Sequence, residues 1–167
     1  MILSTLIQNG RKSDRQLVKE LGVSQPTASR TRRKLEDNGF IKEYTSIPDF
    51  EKIGYQILAV TFVKLDKTLD SKSIEEAREH AKDFLNNNPE IVMIERGIGM
   101  GYDGIIMSYH EDYASYQEFT DKLKELDYLD LSKIDSFLIN LQDKIQYRSF
   151  TFSTLAKHFL KIQKEKK

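Results

Sequence analysis

The sequence predicts an α+β protein made of two modules, a small helical one followed by a larger one that mixes strands and helices. Two observations predict it. Apolar residues recur at helical spacing through residues 1–38, whereas strand-like and helix-like segments alternate from residue 55 onward. The charge changes in the same region, since residues 1–45 carry nine Lys/Arg against five Asp/Glu and residues 46–143 carry ten against twenty. A basic N-terminal segment followed by an acidic segment, residues 46–143, which we call the body, indicates modules with different partners.

Composition narrows the classes of function. The chain of 167 residues is 39% hydrophobic and 31% charged, which is typical of a globular protein. No apolar run approaches the roughly 20 residues that span a bilayer, and the N-terminus lacks the pattern of a secretory signal. We therefore expect a cytoplasmic location and no membrane partner. The absence of cysteine excludes disulfides, thiolate metal sites and a cysteine nucleophile.

Residues 1–38 predict three short helices. Ser13 is placed to begin the second helix, because Gln16 three residues later completes a capping box. The second and third helices are joined by the three-residue turn 22–24, which contains a glycine and has the spacing of a helix-turn-helix. Residues 40–45 then alternate apolar and polar side chains, which predicts a short strand at the position of a wing.

The third helix predicts contact with double-stranded DNA. Its inner face is small and apolar, whereas its outer face offers hydroxyl and guanidinium groups that suit phosphates and guanine edges. The alternative is an ordinary amphipathic surface helix, but four cations within residues 30–34 with no acid among them favour DNA. The predicted contact residues are Ser24, Gln25, Pro26, Thr27, Ser29, Arg30, Arg32, Arg33 and Lys34.

The predicted strands and helices of the body follow the order β-α-β-β-α-β, which indicates a ferredoxin-like unit. The predicted elements are a strand over 55–65, a helix capped by Ser73, strands over 91–95 and 105–109, a helix capped by Asp112, and a strand over 136–141. Several aromatic residues in this part favour either self-association or packing within the sheet, and the sequence leaves both open. They are Tyr109, Tyr113, Tyr116 and Phe137.

Residues 99–104 match the G-x-G-x-x-G fingerprint of dinucleotide sites. That site requires a helix after the glycines to receive the pyrophosphate, but the residues that follow, 105–109, predict a strand. The glycines are better interpreted as a tight hairpin that needs positive φ angles. We therefore expect no nucleotide cofactor.

Catalysis has little support in the sequence. The three histidines, His80, His110 and His158, lack the spacing of metal ligands. No serine lies in a nucleophile elbow. We therefore expect no catalytic residues, no metal, no cofactor and no enzyme activity.

The run from residue 22 to residue 55 resembles the winged helix-turn-helix and hinge of the Lrp/AsnC (feast/famine) transcriptional regulators. It contains a Gly-hydrophobic-Ser turn, a Thr-x-Ser-Arg recognition helix, a Gly-aromatic-Ile-x-x-Tyr-Thr strand and an Asp-x-x-Lys-x-Gly linker. The resemblance implies a sequence-specific transcription regulator that forms a homodimer or larger oligomer through its ferredoxin-like domain. The alternative is an architectural DNA-compacting protein that responds to no ligand.

The resemblance also implies an amino-acid effector beside a Gly-x-x-Asp turn. The matching residues are Gly99, Met100, Gly101, Tyr102 and Asp103. Asp103 corresponds to the acid of that turn and suits the ammonium group of an amino acid. Position 100 is Met with a glycine on either side, so the pocket is either reshaped or unused.

The predicted organisation has four parts. Residues 1–47 form the winged helix-turn-helix domain, 48–54 the hinge, and 55–143 the ferredoxin-like effector and oligomerisation domain. Residues 144–167 form a C-terminal extension with seven Lys/Arg against one acid. We expect a helix from residue 152 to dock its apolar stripe on the body. The basic tail that follows either neutralises the acidic body, which we favour, or contacts phosphates.

Overall fold

The structure is a computed structural model that describes residues 1–66, 71–145, 148 and 150–165, without the side chains of residues 71, 72, 74, 78, 163 and 164. The chain divides into two compact units. The first unit combines Met1–Pro48 with Gln146–Lys167, and the second is Asp49–Ile145. The C-terminal extension thus belongs with the N-terminal helices, and most of the predicted hinge belongs with the second unit.

The first unit begins with the three predicted helices, α1 (Ile2–Gln8), α2 (Asp14–Leu21) and α3 (Gln25–Asp37). The predicted capping box at the start of α2 is present in both directions. The Gln16 N–H donates to Ser13 Oγ at 3.3 Å, and the Ser13 N–H donates to Gln16 Oε1 at 2.7 Å. These two bonds satisfy N–H groups that the helix itself leaves without partners.

The three helices share one small core. Leu17 on α2 and Ala28 on α3 are fully buried, and Ile2 and Leu6 on α1 close over them. The small side chain of Ala28 lets α3 approach the other two helices closely. The position of α3, and hence of its outer face, is therefore set by this core.

The strand predicted over residues 40–45 is wrong, because this segment has no strand in the structure. Tyr44 holds it to the helices instead. A Cβ added to Gly10 would lie 3.1 Å from the Tyr44 ring, so the ring packs directly on that turn. The Tyr44 hydroxyl donates to Glu36 at 2.8 Å. An apolar–polar alternation indicates one buried face, but a strand also requires a paired backbone.

The C-terminal helix, α6 (Ser153–Glu165), packs against α1. Our prediction that it docks on the body is therefore wrong. Small side chains let α6 and α1 pack closely together. Ala156 on α6 is fully buried, and Ser4 and Thr5 on α1 are also buried. The hydroxyls of Ser4 and Thr5 donate to the Met1 carbonyl, so their burial leaves no polar group unsatisfied. Lys166, Lys167 and the side chain of Lys164 in the basic tail lie outside the described residues.

The second unit has the predicted β-α-β-β-α-β order and a ferredoxin-like topology. Its strands form one sheet in the order β2-β3-β1-β4, and each neighbouring pair is antiparallel. The elements are β1 (Ile57–Leu65), α4 (Ser71–Asn87), β2 (Ile91–Gly99), β3 (Tyr102–His110), α5 (Tyr113–Lys124) and β4 (Leu129–Asn140).

Successive side chains along each strand project from opposite faces of the sheet. Ala59, Val63 and Ile106 pack with Phe119 and Leu123 from α5 in the main core of this unit. The neighbouring positions project from the opposite side, which we call the second sheet face. Val60 marks its centre, because it pairs with a β3 residue on one side and a β4 residue on the other. The apolar residues that the register places on the second sheet face include Leu58, Val60, Phe62, Ile105, Met107, Tyr109, Phe137 and Ile139.

Two predicted helix starts have different outcomes. Asp112 caps α5 as predicted, with its Oδ1 accepting from the Ser115 N–H at 2.8 Å. The Ser73 cap is wrong, since α4 begins two residues earlier at Ser71. The last two strands of the prediction also differ in length, because β3 begins before residue 105 and β4 begins at Leu129.

No helix in the described part of the chain is long and apolar enough to cross a membrane.

Candidate nucleic-acid interface

The outer face of α3 lies in solvent along its whole length. Ser24 caps the helix, its Oγ accepting from the Thr27 N–H at 3.3 Å, and Pro26 follows in the first turn. Pro has no N–H to leave unsatisfied there. The structure brings together most of the predicted contact residues on this exposed face, namely Ser24, Gln25, Pro26, Ser29, Arg30, Arg33 and Lys34.

The cations of this face carry uncompensated charge. Within the described residues, Arg30, Arg33 and Lys34 take part in no ion pair. Arg30 and Arg33 are three residues apart, so they project from neighbouring turns of the same face. Two free guanidinium groups at this spacing provide bidentate donors for phosphate oxygens or a guanine edge.

Arg32 is placed differently from the other predicted contacts. Its Nε donates to Asp14 Oδ1 at 2.8 Å, and its other nitrogens donate to the Lys12 carbonyl and the Tyr44 hydroxyl. Burial lowers the pKa of this guanidinium, but the hydrogen bonds to Asp14 and Tyr44 outweigh it, so the pKa lies above its usual value. The DNA contact predicted for Arg32 remains a prediction, and the structure shows a side chain that ties α3 to α2.

Tyr44 is a residue of this unit that sequence reasoning missed. Its hydroxyl donates to Glu36 and accepts from Arg32, and its ring lies 5.9 Å from the Arg32 guanidinium carbon. Burial raises the pKa of the Tyr44 hydroxyl, and the bond to Glu36 raises it further. The sequence contains no local signal for this role, because the partners are eight and twelve residues away.

The predicted effector residues lie in the second unit, at the hairpin between β2 and β3. The turn is a tight one, with positive φ at Met100 (53°) and Gly101 (86°), so the hairpin interpretation of the glycine-rich run is confirmed. Gly99 precedes the turn, and Tyr102 donates through its hydroxyl to Asp135.

The hairpin is fastened to the end of β1. Asp103 Oδ2 accepts from the Leu65 N–H at 3.1 Å, and Lys64 Nζ donates to the Gly101 carbonyl at 2.8 Å. Asp103 therefore has a structural partner in the chain itself. Among the described residues, no group of three or more His, Asp or Glu side chains is placed to hold a metal ion.

The fold and the exposed basic helix define a class of DNA-binding transcriptional regulator, and the sequence relatives agree. Residues 1–42 match the family model described as winged helix-turn-helix DNA-binding. The chain is 31% identical over 120 residues to the HTH-type transcriptional regulator FL11 of Pyrococcus horikoshii, covering 72% of this chain and 74% of that protein. It is 29% identical over 118 residues to the leucine-responsive regulatory protein of Rhizobium meliloti, covering 71% and 72%.

Another relative matches over less of its length. The uncharacterized HTH-type transcriptional regulator PF1734 of Pyrococcus furiosus is 40% identical over 63 residues, which are 38% of this chain and 43% of that protein.

Solved structures show the same fold across nearly the whole chain. The AsnC family transcriptional regulator from Agrobacterium tumefaciens has a TM-score of 0.71 at 19% identity, covering 89% of this chain and 91% of that one. The regulator NMB0573 from Neisseria meningitidis, solved as a complex with L-Met, has a TM-score of 0.72 at 21% identity, covering 92% and 94%. The chain belongs to the Lrp/AsnC family of transcriptional regulators.

Proposed function

We propose that this regulator recognises specific DNA sequences as a homodimer or larger oligomer, with the outer face of α3 in the major groove. The observation that carries the proposal is the exposed pair Arg30 and Arg33, which has no acidic partner within the described residues. In a helix-turn-helix of this kind, one such side chain reads a base edge while another fixes the register on phosphate. We expect the regulator to act in the cytoplasm, where it has access to chromosomal DNA.

The second sheet face supports a two-fold assembly. Phe137 is 66% exposed there on the edge strand β4, and the half-buried Val60, Phe62 and Met107 continue the apolar surface across β1 and β3. A row of apolar side chains that crosses three strands of an uncovered sheet face favours an interface over a solvated surface. The occupant we propose is a second copy of the chain, because two identical sheets offer one another matching apolar rows and two recognition helices then read two half-sites.

An amino-acid effector is the finer part of the proposal. The structures of NMB0573 and of the feast or famine regulatory protein Rv3291c are complexes with L-methionine. In this chain the hairpin residues 99–103 are the candidates, with the Asp103 carboxylate as a partner for an ammonium group. The bond from Leu65 occupies one Asp103 oxygen and leaves lone pairs for such a contact.

The DNA interface is tested with Arg30→Ala and Arg33→Ala, measured by fluorescence anisotropy on DNA fragments recovered by selection from random sequence. Loss of a base-reading arginine costs about 1–3 kcal/mol and relaxes the preference at one base pair, whereas loss of a phosphate contact weakens all sequences alike. Lys133→Ala, an exposed cation of the second unit, is the matched control. Unchanged affinity in both arginine variants at moderate salt would contradict the assignment of α3.

The assembly is tested with Phe137→Glu, measured by analytical ultracentrifugation. A charge within an apolar interface is left unpaired, so we expect the variant to shift towards monomer. Tyr113→Glu is the control, because Tyr113 is 59% exposed on α5, on the other side of the sheet. A Phe137→Glu protein whose oligomer has the same molecular mass as the wild type would contradict the proposal that the second sheet face is the interface.

A further inference from the structure

The C-terminal extension more than doubles the positive charge of the first unit, which also contains α3. Residues 1–48 carry nine Lys/Arg against five Asp/Glu, and residues 146–167 add six Lys/Arg against a single acid. The first unit thus has fifteen cations against six acids, a net charge of +9. The second unit, residues 49–145, has eleven against twenty, a net charge of −9. A compact unit with this excess of cations favours a polyanionic partner.

The exposed lysines of α6 lie on one face of the helix. Lys157 and Lys161 are four residues apart, so they project from neighbouring turns, about 6 Å apart along the helix axis. Lys157 takes part in no ion pair among the described residues. Lys161 Nζ lies 3.8 Å from Glu165 Oε1, and both side chains are mostly exposed. Because an exposed pair of this kind contributes little free energy, a phosphate can displace Glu165 from Lys161.

The contact with α1 holds α6 on a different side of the first unit from α3. Ile2 and Leu6 on α1 face the core that α1 shares with α2 and α3. Ser4 and Thr5 lie on another side of α1, because successive residues of a helix are about 100° apart. There α6 packs through the fully buried Ala156. The lysines of α6 are therefore carried by the same unit as the arginines of α3, but on a separate surface.

We propose that α6 is a second DNA-binding surface, on which Lys157 and Lys161 bind phosphates of the DNA that flanks the site in contact with α3. Duplex DNA carries one negative charge per about 1.7 Å of its axis, so flanking DNA provides closely spaced phosphates. Phosphate contacts carry no sequence information, and α6 therefore adds affinity without changing which bases are preferred. The inference rests on the proposed binding of DNA and extends it to a surface that shares no residue with α3.

The acidic second unit of a neighbouring copy is the other polyanion available to α6, and the charges favour DNA over it. Several acids of the second unit already have a lysine partner within that unit, including Asp49, Glu79 and Asp121. The phosphates of DNA instead hold mobile counterions, and the release of these ions into solution favours binding of lysine.

The salt dependence of DNA affinity tests the proposal on the full chain. The double variant Lys157→Gln/Lys161→Gln is compared with the wild type on two duplexes that share one selected site. One duplex ends at the site, and the other extends it by about two helical turns, roughly 20 base pairs, on each side. Each lost phosphate contact flattens the slope of log affinity against log salt by about 0.9. We expect the double variant to lose about 1.8 units of slope on the extended duplex and none on the short one.

Two single variants are the controls for charge. Lys133→Gln removes an exposed cation of the second unit and should leave both slopes unchanged. Glu165→Gln removes the acid beside Lys161 and should strengthen binding to the extended duplex. The ratio of affinities for selected and random DNA should be the same in the wild type and the double variant, because phosphates carry no sequence information.

Three results would overturn the proposal. The first is a double variant that has the wild-type slope on the extended duplex. The second is equal flattening on both duplexes, because the lysines would then contact the site itself. The third is self-association that the wild type shows only at low salt without DNA and that the double variant loses, because α6 would then bind the acidic second unit of another copy.

These failures are distinguishable from a failure of the proposed function. Arg30→Ala and Arg33→Ala report on α3 in the same measurement, so DNA affinity that depends on them but not on the lysines would refute the α6 surface alone. On random DNA of the extended length, the double variant should lose the same amount of slope. The α6 surface is therefore measurable even in a protein without sequence preference.

Discussion

Arg32 and Asp14 form an ion pair at 2.8 Å that joins α3 to α2, with both side chains less than a third exposed. Arg32 sits among the cations of the recognition helix in the sequence, yet its hydrogen bonds lie within the domain. In α3, Arg32 therefore stabilises the domain, whereas Arg30 and Arg33 are exposed to solvent. We therefore expect replacement of Arg32 to lower the stability of the unit, and replacement of its neighbour Arg33 to lower the affinity for DNA.

Replacing Arg32 with Ala should lower the stability of the DNA-binding unit. The change removes charge-assisted hydrogen bonds and leaves Asp14 partly buried without its partner, which costs about 1–2 kcal/mol for a pair at this exposure. Urea denaturation measures the loss. Arg33→Ala, one residue along on the exposed face, should leave the unfolding midpoint unchanged. An Arg32→Ala protein that keeps its stability but loses DNA affinity would show that Arg32 serves DNA instead.

Replacing Met100 with Asn or Gly should stabilise the β2–β3 hairpin. Met100 has φ of 53°, a left-handed conformation that costs an ordinary side chain about 1–2 kcal/mol. Asn and Gly adopt it readily, and both suit a tight two-residue turn. We expect a gain of about 1 kcal/mol in thermal or urea unfolding. Ile98→Asn, a fully exposed neighbour without positive φ, should give no gain. Equal behaviour of the two positions would contradict the turn geometry.

His110 should make the second unit sensitive to acid. It is 2% exposed, its Nε2 lies 2.8 Å from Ser108 Oγ, and aromatic rings of Tyr116 and Phe119 flank it. Burial lowers the pKa of His110 below 6.5, and the charge of Glu90 opposes this only in part. The unfolded chain therefore binds more protons below about pH 6.5, so the stability present above that pH is lost as the pH falls.

The loss is measured as unfolding free energy between pH 7.5 and pH 5. The wild-type protein should lose up to about 1.4 kcal/mol per pH unit relative to His110→Gln. His80→Gln, at an exposed position, should keep the wild-type dependence. Parallel pH curves for wild type and His110→Gln would rule out a buried neutral histidine.

Ala156→Leu should weaken the contact between α6 and α1. Ala156 is fully buried, and a larger side chain there overpacks the contact at a cost of about 1–3 kcal/mol. Hydrogen exchange of α1 amides should rise, because α1 loses its partner. Thr154→Leu adds the same side chain at an exposed position of α6 and serves as the control. Unchanged exchange in Ala156→Leu would mean that α6 contributes nothing to the DNA-binding unit.

What the sequence predicts well is local. The caps at Ser13 and Asp112 depend on partners three residues away, so the sequence alone places both helix starts. The predictions that were wrong depend on distant partners. Residues 40–45 alternate like a strand but pack through Tyr44 onto helices, and α6 has an apolar stripe whose partner is the opposite end of the chain. The sequence groups Arg32 with the predicted DNA contacts, because the pattern of α3 contains no information on Asp14 eighteen residues earlier.

The central claim is sequence-specific recognition by α3, and the most direct test is the ratio of two affinities. The Kd for a DNA site recovered by selection is compared with the Kd for random DNA of equal length at one physiological salt concentration. A specific regulator should bind its selected site at least about 10³-fold more tightly, and Arg30→Ala or Arg33→Ala should reduce that ratio. A ratio near one, unchanged by either substitution, would contradict the account and indicate an architectural DNA-compacting protein.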